Sequence, residues 1–399
     1  VNIFKEKSGA WAFFGSIAVW GIAIGCFMAT LNNYLVDIHS ITKLERGWLE
    51  FFREFPGLML VFILALMHKV SDWKVMRIGT VVSMVGVAGL LVPADKVVVT
   101  LLIMIWSTGE HLVMPVRRSI AMQLAKDGKA GQSLGYLSSV MHIGLVGGSL
   151  LVAAIFWCGT NYFKVSGRIV LYDTVWIIIF ILMLISCICS FTRHAPCKPS
   201  KRPRLYFHYK FSIYYLLELF YGARKQIFLT FAPFVLIVSY GLNTSEIALL
   251  MGICAVVNIF AGPMIGRLTD KIGYRNMMIY DTILLFFVCL FYGYSGSWFS
   301  ARIAVWVVCL NYIFDAVLST TSLASSLYVK SIEEHNDSVT STLTTGLSIN
   351  HLVSIAAAPL GGWIWQEYGV GTLFTLAAVM AIANSLCAML IPRNKKPDF

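Results

Sequence analysis

Apolar stretches long enough to cross a bilayer recur from one end of this chain to the other. A spanning helix needs about 20 consecutive, mostly apolar residues. Twelve stretches meet that condition: 10–36, 45–68, 76–92, 97–118, 131–157, 170–192, 211–239, 245–265, 276–295, 301–328, 338–366 and 370–391. Charged residues make up 13% of the 399 positions, about half the share usual in a soluble domain. The reading is a polytopic, all-α membrane protein with lipid as its main solvent. The net charge of +11 does not point to nucleic acid, because the basic residues sort by loop rather than gather on one surface. The nine cysteines lack metal-ligand spacing and lie mostly inside apolar runs, which argues against an extracellular disulfide framework. The first run, near 10–36, is too long for the apolar part of a cleavable signal.

Lysine and arginine set the expected orientation. With both termini inside, the outer segments hold only Lys43, Arg46, Lys96, Lys164, Arg168 and Arg302. The longest polar stretch, 193–204, is basic and proline-rich, and it divides the spans into six and six. The expected domains are therefore 1–192, a linker at 193–210, and 211–399. An internal repeat supports two related halves. His68-Lys69-Val-Ser-Asp72-Trp-Lys-Val75-Met-Arg77 follows span two, and Gly266-Arg267-Leu-Thr-Asp270-Lys271-Ile-Gly273-Tyr-Arg275 follows span eight. Both contain basic-x-x-Asp-x4-Arg, and parallel repeats of this kind occur in secondary transporters.

Gly266, Asp270, Lys271, Gly273 and Arg275 resemble the loop motif G-x-x-x-D-[RK]-x-G-[RK]-[RK] of the major facilitator superfamily, with Tyr274 in place of one closing basic residue. In the first copy His68 and Val75 stand where the glycines would be, and Trp73 stands at the basic position. The resemblance implies two pseudo-symmetric six-helix bundles, with spans 3, 6, 9 and 12 outside and the other eight around a central cavity. It also implies alternating access and gating roles for Gly266, Arg267, Asp270, Gly273 and Arg275, and in the degraded copy for Asp72 and Arg77. Gly144, Gly147 and Gly148 in span five resemble an antiporter motif without its proline and with the spacing one short.

Ionisable residues inside spans are expensive and mark transport pathways by default. At about 100° per residue, Arg46, Glu50, Arg53, Glu54 and Gly57 fall in one arc of span two. Further candidates are Glu110 and His111 in span four, His142 in five, Arg224 and Lys225 in seven, Asp315 in ten and His351 in eleven. Lys225 shares a face with Glu218 and Tyr221, and Asn311 shares one with Asp315. Adjacent cations in a membrane each need an anion; for Arg224 and Lys225 the choices are Glu54, Glu110, Asp315 or a solute. Asp281, near the end of span nine, is expected to reach water or Arg275. Bland readings compete: Arg117 and Arg118 snorkel at a helix end, and a lone membrane histidine is often an interhelical donor. Asn243-Thr-Ser reads as a helix N-cap rather than a glycan acceptor.

The expected substrate-binding set is Arg53, Tyr221, Arg224, Lys225, His142, His351 and Asn311. The expected proton-coupling set is Glu50, Glu54, Glu110, His111 and Asp315. No nucleotide-binding loop, metal site or cofactor motif is found, so an ion or solute gradient is the expected drive. The overall expectation is a monomeric, plasma-membrane secondary transporter for a small anionic or zwitterionic solute, coupled to protons. Proton-coupled efflux of drugs or cations is the alternative. A non-transporting sensor or an enzyme fits less well, because no output domain or nucleophile motif is found.

Overall fold

The computed structural model describes residues 4, 7–67, 70–126, 130–165, 167–191, 207–332 and 336–392. Twelve α-helices and no sheet occur among them: α1 Lys7–Asp37, α2 Lys43–Leu66, α3 Asp72–Gly89, α4 Lys96–Leu124, α5 Ala130–Asn161, α6 Arg168–Cys189, α7 Ser212–Val238, α8 Thr244–Ile272, α9 Tyr274–Trp298, α10 Ala301–Leu318, α11 Leu323–Ile332 and α12 Asn336–Met389. The expected linker is largely outside the described residues, as are His68 and Lys69.

Helices and expected spans correspond one to one until span ten. There α10 and α11 are separate pieces joined by a 3-10 turn, Ser319–Ser322. Spans eleven and twelve both lie in α12, which breaks at Gly369. That glycine has φ +87°, a left-handed conformation that other residues adopt only with strain. Eight helical segments are long and apolar enough to cross a membrane on length and composition. Helices α2, α3 and α7 are interrupted by the charged residues that make them informative.

Local chemistry starts these helices where the sequence says it should. Thr42 Oγ1 accepts from the Glu45 N–H, and Glu45 Oε2 accepts from the Thr42 N–H at 2.8 Å. Asn243 and Glu246 make the same reciprocal pair at 3.0 and 2.8 Å. Both are capping boxes, so Asn243 is an N-cap as expected. Between α8 and α9, Gly273 takes φ +84°, which explains a glycine at that motif position.

The chain clusters into two units. Unit 1 comprises 1–41, 52–202 and 242–256; unit 2 comprises 42–51, 203–241 and 257–399. In unit 1, α1 packs on α5 and α3 on α4. The α1–α5 contact runs along glycines: a Cβ on Gly25 would lie 2.6 Å from Leu145 O, and one on Gly144 would lie 2.8 Å from Gly21 Cα. Small residues four apart let helix backbones approach this closely. Gly144 and Gly148 thus serve helix packing; Gly147 points away, with Ile22 at 3.8 Å as its nearest neighbour. In unit 2, α7 and α9 pack on α12. Phe228, Tyr292 and Phe374 form an aromatic cluster there, with centroids 4.7 to 5.7 Å apart.

Candidate transport site

Unit 2 holds the most developed arrangement of charge. Arg224 on α7 is buried and donates through Nη1 to Asp315 Oδ1 on α10 at 2.8 Å. Its guanidinium also lies 5.1 Å from the Tyr221 ring. A guanidinium so far from water requires an anion, and of the three candidates the sequence offered, the described partner is Asp315. Tyr221 Oη points to Ser319 O at 3.5 Å, in the turn that ends α10. Asn311, one turn before Asp315, is buried and donates to Val307 O at 2.8 Å.

Asp281 on α9 belongs to this group, contrary to the expectation that it would face water or Arg275. Its Oδ2 lies 2.5 Å from Thr321 Oγ1, and it interacts electrostatically with Arg224. Arg275 instead donates to Met389 O at 3.0 Å. The sequence contained Asp281 but not its neighbours: Thr321 meets it only because the 3-10 turn rotates the end of span ten.

Two further polar groups lie in unit 2. Glu50 is buried, with Oε2 accepting from Arg46 at 2.9 Å and Oε1 from Gln226 at 2.8 Å. Gln226 also bonds Thr230 at 2.8 Å. Glu218 accepts from Ser325 at 3.1 Å and interacts with Asn350 and Lys225. Lys225 thus acts electrostatically on Glu218, while Arg224 pairs with Asp315. Sequence reasoning missed Gln226 and Asn350; Gln226 follows Arg224 and Lys225 directly, and that run of polar residues was the available signal. His351 is half-buried on α12.

Unit 1 carries shorter-range pairs. Arg53 pairs with its neighbour Glu54. Ser107 donates to Arg53 O at 2.5 Å, and His111 Nδ1 lies 2.8 Å from Ser107 O. Glu110 lies 3.9 Å from Arg117. His142 Nδ1 is 2.9 Å from Ser138 O, a local contact one turn back. Asp72 is buried and accepts from Ser119 at 2.5 Å and Gln123 at 3.1 Å, which fixes the start of α3 to α4. Arg77 donates to Ser190 O at 2.6 Å and sits 4.0 Å from the Phe191 ring centre. Gly266, Arg267 and Asp270 fall within α8, but the side chains of Arg267 and Asp270 lie outside the described residues, as does that of Gln132.

A multi-pass helical protein with solvent-poor ion pairs inside its spans is the build of a membrane carrier. The chain belongs to the Major Facilitator Superfamily, whose model matches residues 13–350, and this is a family of transporters. Over 157 residues, 39% of the chain, it is 25% identical to the human chromaffin granule amine transporter, of which the match spans 29%. The fold is similar to solved transporters. The nucleoside transporter NupG gives a TM-score of 0.73 at 12% identity, covering 96% of this chain and 98% of that one. A D-xylose-proton symporter gives 0.69 at 14% identity, covering 98% and 100%. A bacterial homolog of the human lysosomal transporter Spinster gives 0.68 at 14% identity, covering 96% and 95%.

Proposed function

We propose that this chain is a proton-coupled secondary transporter that moves a small zwitterionic solute by alternating access. The observation that carries the reading is the buried Arg224–Asp315 pair beside the Tyr221 ring. Opening an ion pair in a low-dielectric site leaves two uncompensated charges. A simple anion replaces one partner and strands the other. A zwitterion replaces both: its carboxylate takes Arg224 and its ammonium takes Asp315. The 1–192 and 211–399 halves, joined by the 193–210 linker, are the bodies that rock about the solute, with Asp270 as a gate residue. A monomer in the plasma membrane, with both termini in the cytoplasm, completes the reading.

A thermal-shift screen of purified protein tests it, with zwitterions, monoanions and lipophilic cations side by side. Zwitterions should stabilise the wild type and not Arg224→Ala. Stabilisation by monoanions alone would overturn the reading. The second reading, transport of an organic cation, has its own support: Asp281 puts a second carboxylate near Arg224, and part of the chain is similar to an amine transporter. Stabilisation by cations alone would favour it.

A further inference from the structure

Thr321 sits between two oxygens and has one proton to give. Its Oγ1 is 2.5 Å from Asp281 Oδ2 and 2.6 Å from Leu318 O. A backbone carbonyl only accepts hydrogen bonds, and so does an ionised carboxylate. With Asp281 ionised, the single hydroxyl proton must be shared between two acceptors, which weakens both bonds. A proton on Asp281 Oδ2 resolves the conflict: Asp281 donates to Thr321, and Thr321 donates to Leu318 O. The other oxygen, Asp281 Oδ1, is buried with no side-chain hydrogen-bond partner among the described residues, and the carboxyl's remaining polar neighbour is the Thr282 backbone N–H. Leaving a neutral carboxyl oxygen unpaired is far less costly than leaving half of a carboxylate charge so.

The surrounding charges lead the same way. Helix α7 brings Arg224 and Tyr221 to this group, α10 brings Asp315, and α9 itself adds Cys289. Helices α11 and α12 also pack on α9 but bring no charged group to Asp281 among the described residues. One guanidinium therefore serves two carboxyl groups. The cluster is neutral when it holds one proton, and Asp315 is already the hydrogen-bonded partner of Arg224.

We propose that Asp281 is the proton-binding carboxyl of this transporter and that it acts on the Arg224–Asp315 pair through the 3-10 turn carrying Thr321. The proposal rests on the reading of that pair as the solute site. Protonation leaves Arg224 with one anionic partner, so a solute carboxylate can approach. Ionisation of Asp281, with the proton passing to water, sets a second negative charge against that carboxylate. It also draws the Thr321 hydrogen away from Leu318 O. The turn is then loosened where Ser319 N–H caps α10 by donating to Asp315 O. Proton first and solute second is the resulting order.

Infrared spectroscopy of the purified protein, titrated with pH and without solute, tests the assignment. A protonated-carboxyl band should vanish as pH rises, be missing in Asp281→Asn, persist in Glu218→Gln, and titrate away at lower pH in Asp315→Asn, where Arg224 is left to Asp281 alone. A band that survives Asp281→Asn, or whose frequency is unmoved by Thr321→Val, overturns the proposal. If Asp281→Asn does not fold, Thr321→Val should shift the band and Thr321→Ser restore it; no shift overturns the proposal equally. None of these readings uses a solute, so failure of the zwitterion screen and failure here are separate results. Where a zwitterion binds, wild-type affinity should fall as pH rises, and that pH dependence should be lost in Asp281→Asn.

Discussion

Arg77 and Arg275 perform the same task 198 positions apart. Each closes the loop motif of its repeat and donates to a carbonyl at the end of a later helix: Arg77 to Ser190 O just past α6, and Arg275 to Met389 O at the end of α12. The loop arginine of this motif is thus a C-terminal clamp in both copies, which suits a cation at the negative end of a helix. A hydrogen bond to a charged group contributes about 1.5–3 kcal/mol, and stacking on Phe191 adds to the Arg77 contact. Arg77→Ala should lower the melting temperature more than Arg275→Ala. Arg77→Lys should recover only part of the loss, because an ammonium cannot reproduce the planar fork. Melting curves of the three variants in detergent are the check.

Breaking the buried pair one residue at a time should be costly. Arg224→Met leaves Asp315 buried without its partner, at about 3–5 kcal/mol, whereas Asp315→Leu should cost less, because Asp281 remains beside Arg224. The double variant removes both charges and should regain most of the stability while losing solute binding. A double-mutant cycle on melting temperatures measures this. Additive losses would mean that the two side chains are not energetically coupled.

The α1–α5 contact makes a sharper steric prediction. Gly148→Ala pushes a methyl group into the backbone around Ile22 and Gly25, whereas Gly147→Ala meets only the Ile22 side chain at 3.8 Å. Overpacking of this kind costs about 1–3 kcal/mol. Gly148→Ala should therefore reduce folded yield and melting temperature, and Gly147→Ala should match the wild type. An antiporter-type role for this glycine cluster would reverse the order in a transport assay.

His39, in the connection between α1 and α2, supplies a pH prediction. Burial, with Lys96 nearby as a second cause, pushes its imidazole below the ordinary histidine range. Its Nε2 is buried without a partner, and its ring meets Tyr34 edge-on at 4.9 Å. The unfolded chain therefore takes up a proton at higher pH than the folded one. The contribution is complete above the unfolded value of about 6.5 and declines as pH falls from there toward the folded value. Wild-type melting temperature should drop between pH 7.5 and 5.5, and His39→Asn should flatten that part of the profile.

What the sequence disclosed, and what it withheld, follows from the range of the forces involved. Span length, the cap at Asn243, and the repeat around Asp72 and Asp270 are local properties, and each was readable. The partner of Arg224 was narrowed to three acids but not chosen, because helical spacing tells which face a residue occupies and not which helix lies opposite. The surroundings of Asp281, which are Thr321 and Arg224 instead of water or Arg275, are beyond local spacing for the same reason. The run Ser319-Thr-Thr-Ser looked like more of one polar helix face, since nothing local distinguishes a 3-10 turn from a continued helix. Gly144 and Gly148 were compared with a motif when their meaning lay in Gly21 and Gly25 across the contact.

That glycine contact also bears on how unit 1 can move. Most helix pairs slide because side chains between them can change rotamer and absorb a shift. Gly25 faces the main chain at Leu145, and Gly144 faces the main chain at Gly21, so no rotamers stand between them to yield. Helices α1 and α5 can travel only as one piece, and any internal rearrangement of unit 1 must be taken up by its other helices.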